Sequence, residues 1–283
     1  STRSPTTVSP ALTPERSRSP DSNFWISTRT DPDPAGRPGG SERYRGTVRT
    51  AVIIPAYNEA DALPGVLAAL EAHVPGHDVV VIDDGSTDST ASAARAGGAT
   101  CLRLPFNLGI GGALRLGFRY AVEQGYDRAY QFDADGQHDA SQVSALLAGL
   151  QDADMVIGTR FGGDDGYRVG RSRGLAMGLL RRMVGQICGQ RFTDTSSGFR
   201  AFRRPVLEFF ATEYPVEYME SVEALVLAVR RGFVVREVPV VMHDRSGGRA
   251  STRNLRLAYH FVRLLIVLLA GDPGRGQRRR TQS

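Results

Sequence analysis

Three short acidic stretches of this 283-residue chain carry residue types and spacings that can do chemistry. The first is Asp133-Ala-Asp135-Gly-Gln137-His138-Asp139, with two carboxylates one residue apart and an amide just beyond them. Carboxylates this close repel each other, and a bound cation removes the repulsion. Two carboxylates, an amide oxygen and open positions suit Mg²⁺ or Mn²⁺, ions that also accept phosphate oxygens. Asp133, Asp135 and Gln137 are therefore the candidate metal ligands. A calcium loop between helices is disfavoured, because no Glu stands at its bidentate position and the stretch follows a strand-like run. A lone Asp-x-Asp is more often an acidic surface turn, and here its place after a strand and its two companions reverse that reading. Asp83-Asp84-Gly-Ser-Thr-Asp88 offers carboxylates to a base N–H or a ribose hydroxyl; otherwise it is a turn with a helix cap. Pro55-Ala-Tyr57-Asn58-Glu59 offers an aromatic face and a charge, or simply a turn and a helix start.

All three stretches end strand-like segments. Residues 51–54 are a continuous apolar run, which is how a strand covered on both faces reads, and Asp78-Val-Val-Val-Ile82 reads as a second buried strand. Residues 100–104, 128–132 and 154–157 follow as further strands. Helices alternate with them: from Asn58 as cap to about Ala72, from Ser86 or Thr87 as cap to Gly97-Gly98, from Gly111 to Gly125, and from Ala140 to Leu150. This order predicts an α/β fold with a mostly parallel, Rossmann-like sheet flanked by helices. Functional groups of such sheets gather beyond the carboxyl ends of the strands. The second half is less regular, an α+β part with helices at 174–189 and 221–231, short strands at 199–202 and 233–241, and an amphipathic helix at 254–269. No fixed-period repeat is present.

Composition bounds the remainder. Apolar residues make up 41% and charged residues 23%, ordinary for a globular chain. The net charge is +5, and every basic residue is Arg. Arg pairs with phosphate in bidentate fashion, which Lys does not. Residues 1–48 hold seven of the 15 prolines and few aliphatics, so they read as a disordered tail, and 271–283 as a basic one. Cys101 and Cys188 match no metal or redox spacing. The longest apolar run, Leu264 to Ala270, falls far short of the roughly 20 residues a bilayer span needs. The five histidines form no metal spacing; His138, beside the acidic loop, is the one with a supporting or acceptor-side reading. Gly109-Ile-Gly111-Gly112 is a helix start or a sugar and nucleotide contact, and lacks the spacing of a dinucleotide fingerprint. Arg168, Arg171, Arg173, Arg181 and Arg182 form either a solvated basic face or, with the apolar stripe of 175–187, a surface for an anionic membrane. No nucleic-acid-binding module is visible.

Together the motifs resemble family 2 glycosyltransferases, and among them the polyprenyl-phosphate (dolichol-phosphate) sugar transferase branch. Asp133-Ala-Asp-Gly-Gln-His138, Gly158-Thr-Arg160-Phe, Asp194-Thr-Ser-Ser-Gly198-Phe-Arg200 and the stretch from Glu237 to Arg245 and Ser251 look like that branch's motifs. The resemblance covers about residues 50–252 and implies a GT-A fold over 49–252, with a nucleotide-sugar half at 49–160 and a smaller acceptor half at 161–252. It implies that Pro55, Tyr57, Glu59, Asp83, Asp84 and Asp133 hold the nucleoside diphosphate and that Asp133, Asp135 and Gln137 hold the metal. It also places Arg160, Arg168 and Ser172 on the acceptor phosphate. The chain departs from the pattern in having Thr195-Ser196-Ser197 where one Thr-Ser is usual, Ser251-Thr-Arg253 in the late loop, and no pair of membrane spans near its end.

The implied reaction is a single, inverting displacement from a UDP-, GDP- or dTDP-sugar. Mg²⁺ or Mn²⁺ and Arg245, with Asp135, stabilise the departing diphosphate. A lipid phosphate, largely dianionic at neutral pH, attacks without a base. A hydroxyl of a glycan or lipid-linked saccharide would need one, and Glu220 and Glu223 are the candidates. The expected setting is cytoplasmic, peripheral on the inner face of the membrane, with 253–270 as the amphipathic contact and no nucleic-acid partner. A catalytically silent nucleotide-sugar binder is the alternative from another class. A nucleotidyltransferase would carry a Gly-rich, basic signature after the first strand, where this chain has Pro55 to Glu59.

Overall fold

The first apolar run becomes β1, Thr50–Ala56. Its Ala51 and Ile53 enter one core and Val52 and Ile54 another, and all four are fully buried. That two-sided burial explains why the segment does not alternate with polar residues. The computed structural model describes residues 48–160, 171–216 and 220–242. After β1 come α1 (Leu63–His73), β2 (Asp78–Asp83), α2 (Thr90–Ala96), β3 (Thr100–Arg103), α3 (Ile110–Glu123), β4 (Arg128–Gln131), α4 (Val143–Ala148) and β5 (Met155–Thr159). The second half adds α5 (Arg171–Cys188), β6 (Arg200–Arg203), α6 (Arg204–Glu213), α7 (Glu220–Arg231) and β7 (Val235–Pro239). The expected tail at 1–48 (but for Val48), the helix at 253–270 and the tail at 271–283 lie outside the described residues.

The strands form one sheet in the order β3-β2-β1-β4-β6-β5-β7. Every strand runs parallel except β6, which is antiparallel to both β4 and β5. One face packs against α3, α5, α6 and α7, the other against α1, α2 and α4. The first core is knotted by aromatic rings: Phe118 of α3 lies 5.1 Å from Phe202 of β6, 5.7 Å from Phe210 of α6 and 5.0 Å from Tyr214. Each fully buried Phe contributes roughly 1.5–3 kcal/mol, so this cluster anchors the second half onto the first.

Several local expectations change. Asn58 does not cap α1, which begins five residues later with Pro64 in its first turn. Asn58 instead has φ 55°, a left-handed conformation that Asn tolerates better than most residues. Neither Ser86 nor Thr87 caps α2, whose N-cap is Ser89; Ser86 Oγ accepts from Asn58 N instead. The 140–150 helix is broken into a short α4 between single 3₁₀ turns at 140–142 and 149–151. Helix α6 was not foreseen. Pro205 in its first turn is compatible with a helix start, because its missing N–H has no partner there anyway.

Candidate active site at the carboxyl edge of the sheet

Parallel pairing fixes where the motifs meet. Ala56 of β1 is in register with Asp83 of β2, and Phe132, just past β4, donates its N–H to Ile53 O. Tyr57 and Glu59, Asp83 and Asp84, and Asp133 and Asp135 therefore leave the same edge of the sheet. Because β6 is antiparallel, its beginning rather than its end reaches this edge. Arg200 pairs with Gln131 on one side and Ile157 on the other, so the 194–199 segment sits between the loop after β4 and Arg160 after β5. At about 4.8 Å per strand, β2 to β4 spans about 10 Å and β2 to β5 on the order of 20 Å.

On the β1–β2 side the motif polar groups mainly hold one another. Asn58 N donates to Ser86 Oγ (2.9 Å), Thr87 N to Asn58 Oδ1 (2.9 Å), Glu59 N to Thr90 Oγ1 (2.9 Å) and Ala60 N to Asp88 Oδ2 (3.2 Å). Asp83, 1% exposed, accepts from Ser86 N at 2.8 Å, and its other oxygen lies 3.2 Å from Arg103 Nε without hydrogen-bond geometry. Asp84 accepts from Leu108 N (2.7 Å) and Gly109 N (2.9 Å). Its carboxylate thus clamps the start of α3, the Gly109-Ile-Gly-Gly112 turn. Burial raises the Asp84 pKa, opposed by these two amide donors. Gly85, in the turn after β2, has φ 71°, and a Cβ there would stand 2.6 Å from Phe106 C. Tyr57 is 46% exposed, the one large aromatic of the Pro55–Glu59 motif, presented at the rim, with Pro55 and Glu59 half-buried beside it.

The loop after β4 is built around His138. Asp133 N donates to His138 Nδ1 at 3.0 Å, so the ring proton sits on Nε2, which faces Asp133 Oδ2 at 3.3 Å. Burial holds this imidazole below the usual histidine range, against the pull of Asp133 and Asp135. Phe199 stacks on the ring at 4.8 Å and Phe132 meets it edge-on at 5.3 Å. With its Nδ1 lone pair taken and its Nε2 proton facing Asp133, His138 supports a ligand and does not act as one. Asp133 Oδ1 also accepts from Gln131 Nε2 at 3.1 Å, and Asp135 Oδ1 from Gln137 N at 3.1 Å. The donor set of two carboxylates and the Gln137 amide oxygen is all hard oxygen and fits Mg²⁺ or Mn²⁺. Among the described residues no group of three or more His, Cys, Asp or Glu is gathered to hold an ion. The remaining positions would fall to phosphate and water.

Gly198 has a role that sequence reasoning missed. A Cβ at this position would lie 2.8 Å from Asp133 Oδ2 and 2.9 Å from Gln131 Nε2. The glycine lets the 194–200 segment pass against the Asp133 carboxylate. Arg200, fully buried, donates to the carbonyls of Ser197 (2.7 Å), Thr195 (3.2 Å) and Ser221 (2.7 Å), and so ties this segment to the start of α7. Glu220 and Glu223 on that turn are each 7% exposed. Burial pushes the Glu220 carboxyl up, while Ser221 Oγ donates to it at 2.9 Å.

Arg160 pairs with Asp194, Nε to Oδ2 at 2.9 Å, and its Nη2 reaches Ser196 Oγ at 3.4 Å. Arg181 Nη1 donates to Thr193 O. Arg168 and Arg245 lie outside the described residues; Ser172 falls within α5, where its side chain is not described. Met242, three residues before Arg245, forms an antiparallel bridge with His138. A cleft of about 800 Å³ lies at the opposite edge of the sheet, lined by His73, His77, Asp127, Arg128, Arg203 and Arg204, and holds none of the motif residues. No described helix is long and apolar enough to cross a membrane.

Comparison with known proteins gives the family and the fold. The chain is 32% identical over 219 residues, 72% of its length and 87% of the relative's, to an undecaprenyl-phosphate mannosyltransferase of Micrococcus luteus. It is 30% identical over 226 residues, 76% of its length and 85% of the relative's, to a polyprenol monophosphomannose synthase of Mycolicibacterium smegmatis. Glucosyl-3-phosphoglycerate synthase of Mycobacterium tuberculosis, crystallised with Mn²⁺, UDP and phosphoglyceric acid, superposes with a TM-score of 0.56 at 23% identity. That match covers 80% of this chain and 81% of the other, and it shows a shared GT-A fold. The model of glycosyl transferase family 2 matches residues 51–210. The chain is a member of glycosyl transferase family 2.

Proposed function

We propose that this glycosyltransferase moves a sugar from a nucleotide diphosphate sugar to a polyprenyl phosphate. One observation carries the reading: the Asp133–Asp135 loop and Arg160 leave the same edge of the sheet, separated by the single strand β6. An anion-orienting guanidinium is thereby set beside a loop suited to a metal diphosphate. The two relatives named for transfer to undecaprenyl phosphate and polyprenol support the acceptor class.

Tyr57 and Glu59 receive the nucleoside, with Pro55 beside them, on a floor that Asp83 and Asp84 shape through the turns they hold. Asp133, Asp135 and Gln137 hold Mg²⁺ or Mn²⁺, which when bound offsets the charge that the leaving diphosphate gains. His138 and Gln131 aim the Asp133 carboxylate. Arg245, three residues past the bridge between Met242 and His138, reaches the diphosphate. Arg160, with Arg168 and Ser172, positions the acceptor phosphate, which attacks the anomeric carbon as a dianion and inverts it. The basic α5 surface and the 253–270 segment bring the chain to the cytoplasmic face of the membrane.

A second reading has one observation in its favour. Glu220, its carboxyl raised by burial, is the kind of group that serves as general base for a hydroxyl acceptor. A panel of UDP-, GDP- and dTDP-sugars with Mn²⁺ tests both. Nucleotide release stimulated by a polyprenyl phosphate is expected. Release stimulated only by saccharides would replace the phosphate acceptor with the hydroxyl one, and binding without release would leave a silent nucleotide-sugar binder.

A further inference from the structure

The Arg160 side chain does not stand alone. Asp194, whose side chain is fully buried, accepts from Arg160 Nε at 2.9 Å and from Nη2 at 3.5 Å, and also from Ser196 N and Ser196 Oγ at 3.1 Å each. The turn carrying Asp194 is itself fastened from three sides. Glu237 of β7 accepts from Thr193 N with both oxygens at 2.9 Å, from Thr193 Oγ1 at 3.1 Å and from Asp194 N at 2.8 Å. Thr159, the residue before Arg160, places its Oγ1 2.8 Å from Thr193 Oγ1. Arg181 of α5 donates to Thr193 O at 3.2 Å.

We propose that Asp194, held in place by Glu237, is a positioning residue that sets the plane of the Arg160 guanidinium for the acceptor phosphate. The proposal rests on reading Arg160 as an acceptor-phosphate residue. Three physical points support it. An arginine at the end of a strand has many rotamers, and a buried carboxylate gripping its Nε–Nη2 edge selects one, so the direction of its other edge is fixed. A carboxylate buried this deeply must keep its partner, because an unpaired buried charge is costly. Finally, Glu237 spends both its oxygens on backbone and hydroxyl donors of residues 193 and 194, which fixes the turn and not the arginine directly.

Charge and orientation predict opposite signs, which makes the idea testable. By charge alone, removing a carboxylate beside Arg160 strengthens its attraction for a dianion, so Asp194→Asn would lower the KM for the acceptor. Under positioning, Asp194→Asn raises it. The experiment uses the full-length protein with Mn²⁺, the nucleotide sugar that turns over fastest, and farnesyl phosphate as a soluble probe of the acceptor. Asp194→Asn is expected to raise the farnesyl phosphate KM about tenfold, the usual scale for losing a partner that orients a ligating group, with the donor KM unchanged. In an Arg160→Ala background the same change should add nothing, because the group it orients is gone. Glu237→Gln, one bond further out, should act in the same direction more weakly and be equally silent in that background; it keeps the test alive should Asp194→Asn not fold.

A lowered acceptor KM, an equal loss in both backgrounds, or a loss on the donor side would overturn the positioning role. If those results came with an Arg160→Ala variant that does weaken farnesyl phosphate, the acceptor assignment would stand without it. If Arg160→Ala left farnesyl phosphate kinetics untouched, the assignment of Arg160 and the proposal would both fall.

Discussion

The two sides of the sheet edge use the same residue type for different work. On the β1–β2 side, carboxylates accept from backbone N–H groups: Asp83 from Ser86, Asp84 from Leu108 and Gly109, Asp88 from Ala60 and Thr90. These bonds determine the shape of loops. On the β5–β6–β7 side, Asp194 grips a guanidinium and Glu237 grips the turn that presents it. There the carboxylates determine the direction of a cation. Between them, Asp133 is steered by His138 and Gln131 and flanked by Gly198. An acidic residue in a shared motif therefore need not touch a substrate, and its partner decides whether it builds, aims or binds.

The sharpest way to break this contrast is at the centre. Asp135→Ala should reduce Mn²⁺-dependent nucleotide release on the order of 10²–10³-fold, the scale of losing one group that stabilises transition-state charge. Activity close to wild type would remove Asp135 from the site. Gly198→Ala should come next. A methyl placed 2.8 Å from Asp133 Oδ2, 3.1 Å from its Oδ1 and 2.9 Å from Gln131 Nε2 must push this hydrogen-bonded pair of side chains aside. Mn²⁺ affinity in the presence of nucleotide, followed by titration, should fall by roughly 10–100-fold. Unchanged affinity would mean that Asp133 does not ligate.

Asp84→Ala tests whether the β1–β2 side builds or binds. The part-buried amides of Leu108 and Gly109 lose a charged acceptor, Gly109 N keeping only Asn107 Oδ1, so the ligand-free protein should lose about 1–3 kcal/mol of stability. Weaker nucleotide binding with an unchanged thermal midpoint would instead make Asp84 a contact to the base. The smallest effect concerns Glu220. The folded chain holds its proton more tightly than the unfolded chain does, so ionised Glu220 costs stability as the pH rises past the usual carboxylate range. Glu220→Gln should raise the melting midpoint at pH 7, and the difference should close toward pH 4. A lower midpoint at pH 7 would show that the ionised form is the one the fold prefers.

Much of the fold is legible in the residues. The short apolar runs at 51–54 and 79–82, rich in Val and Ile, read as strands covered on both faces, and glycines at 97–98 and 125 close the intervening helices where expected. The caps were misread because Asn58, Ser86 and Thr87 have two kinds of partner open to them, a helix N–H or each other, and sequence does not rank these. The candidate metal loop was legible because two adjacent carboxylates pose a local electrostatic problem that has few solutions. The Arg160–Asp194 and Asp133–Gly198 contacts were not, since their partners lie 34 and 65 residues apart and meet only through strand order.

The sequence by itself determined which segments are strands and helices and which residues can bear charge at the strand ends. Periodicity and residue chemistry act within a few residues of one another. Only the tertiary structure decided that β6 runs backwards between β4 and β5. That reversal brings the start of β6 to the active edge, so Gly198 faces Asp133 and Asp194 reaches Arg160. Strand direction is settled by how the whole sheet buries its two faces and satisfies its hydrogen bonds, a sum over distant contacts that no local run of residues contains.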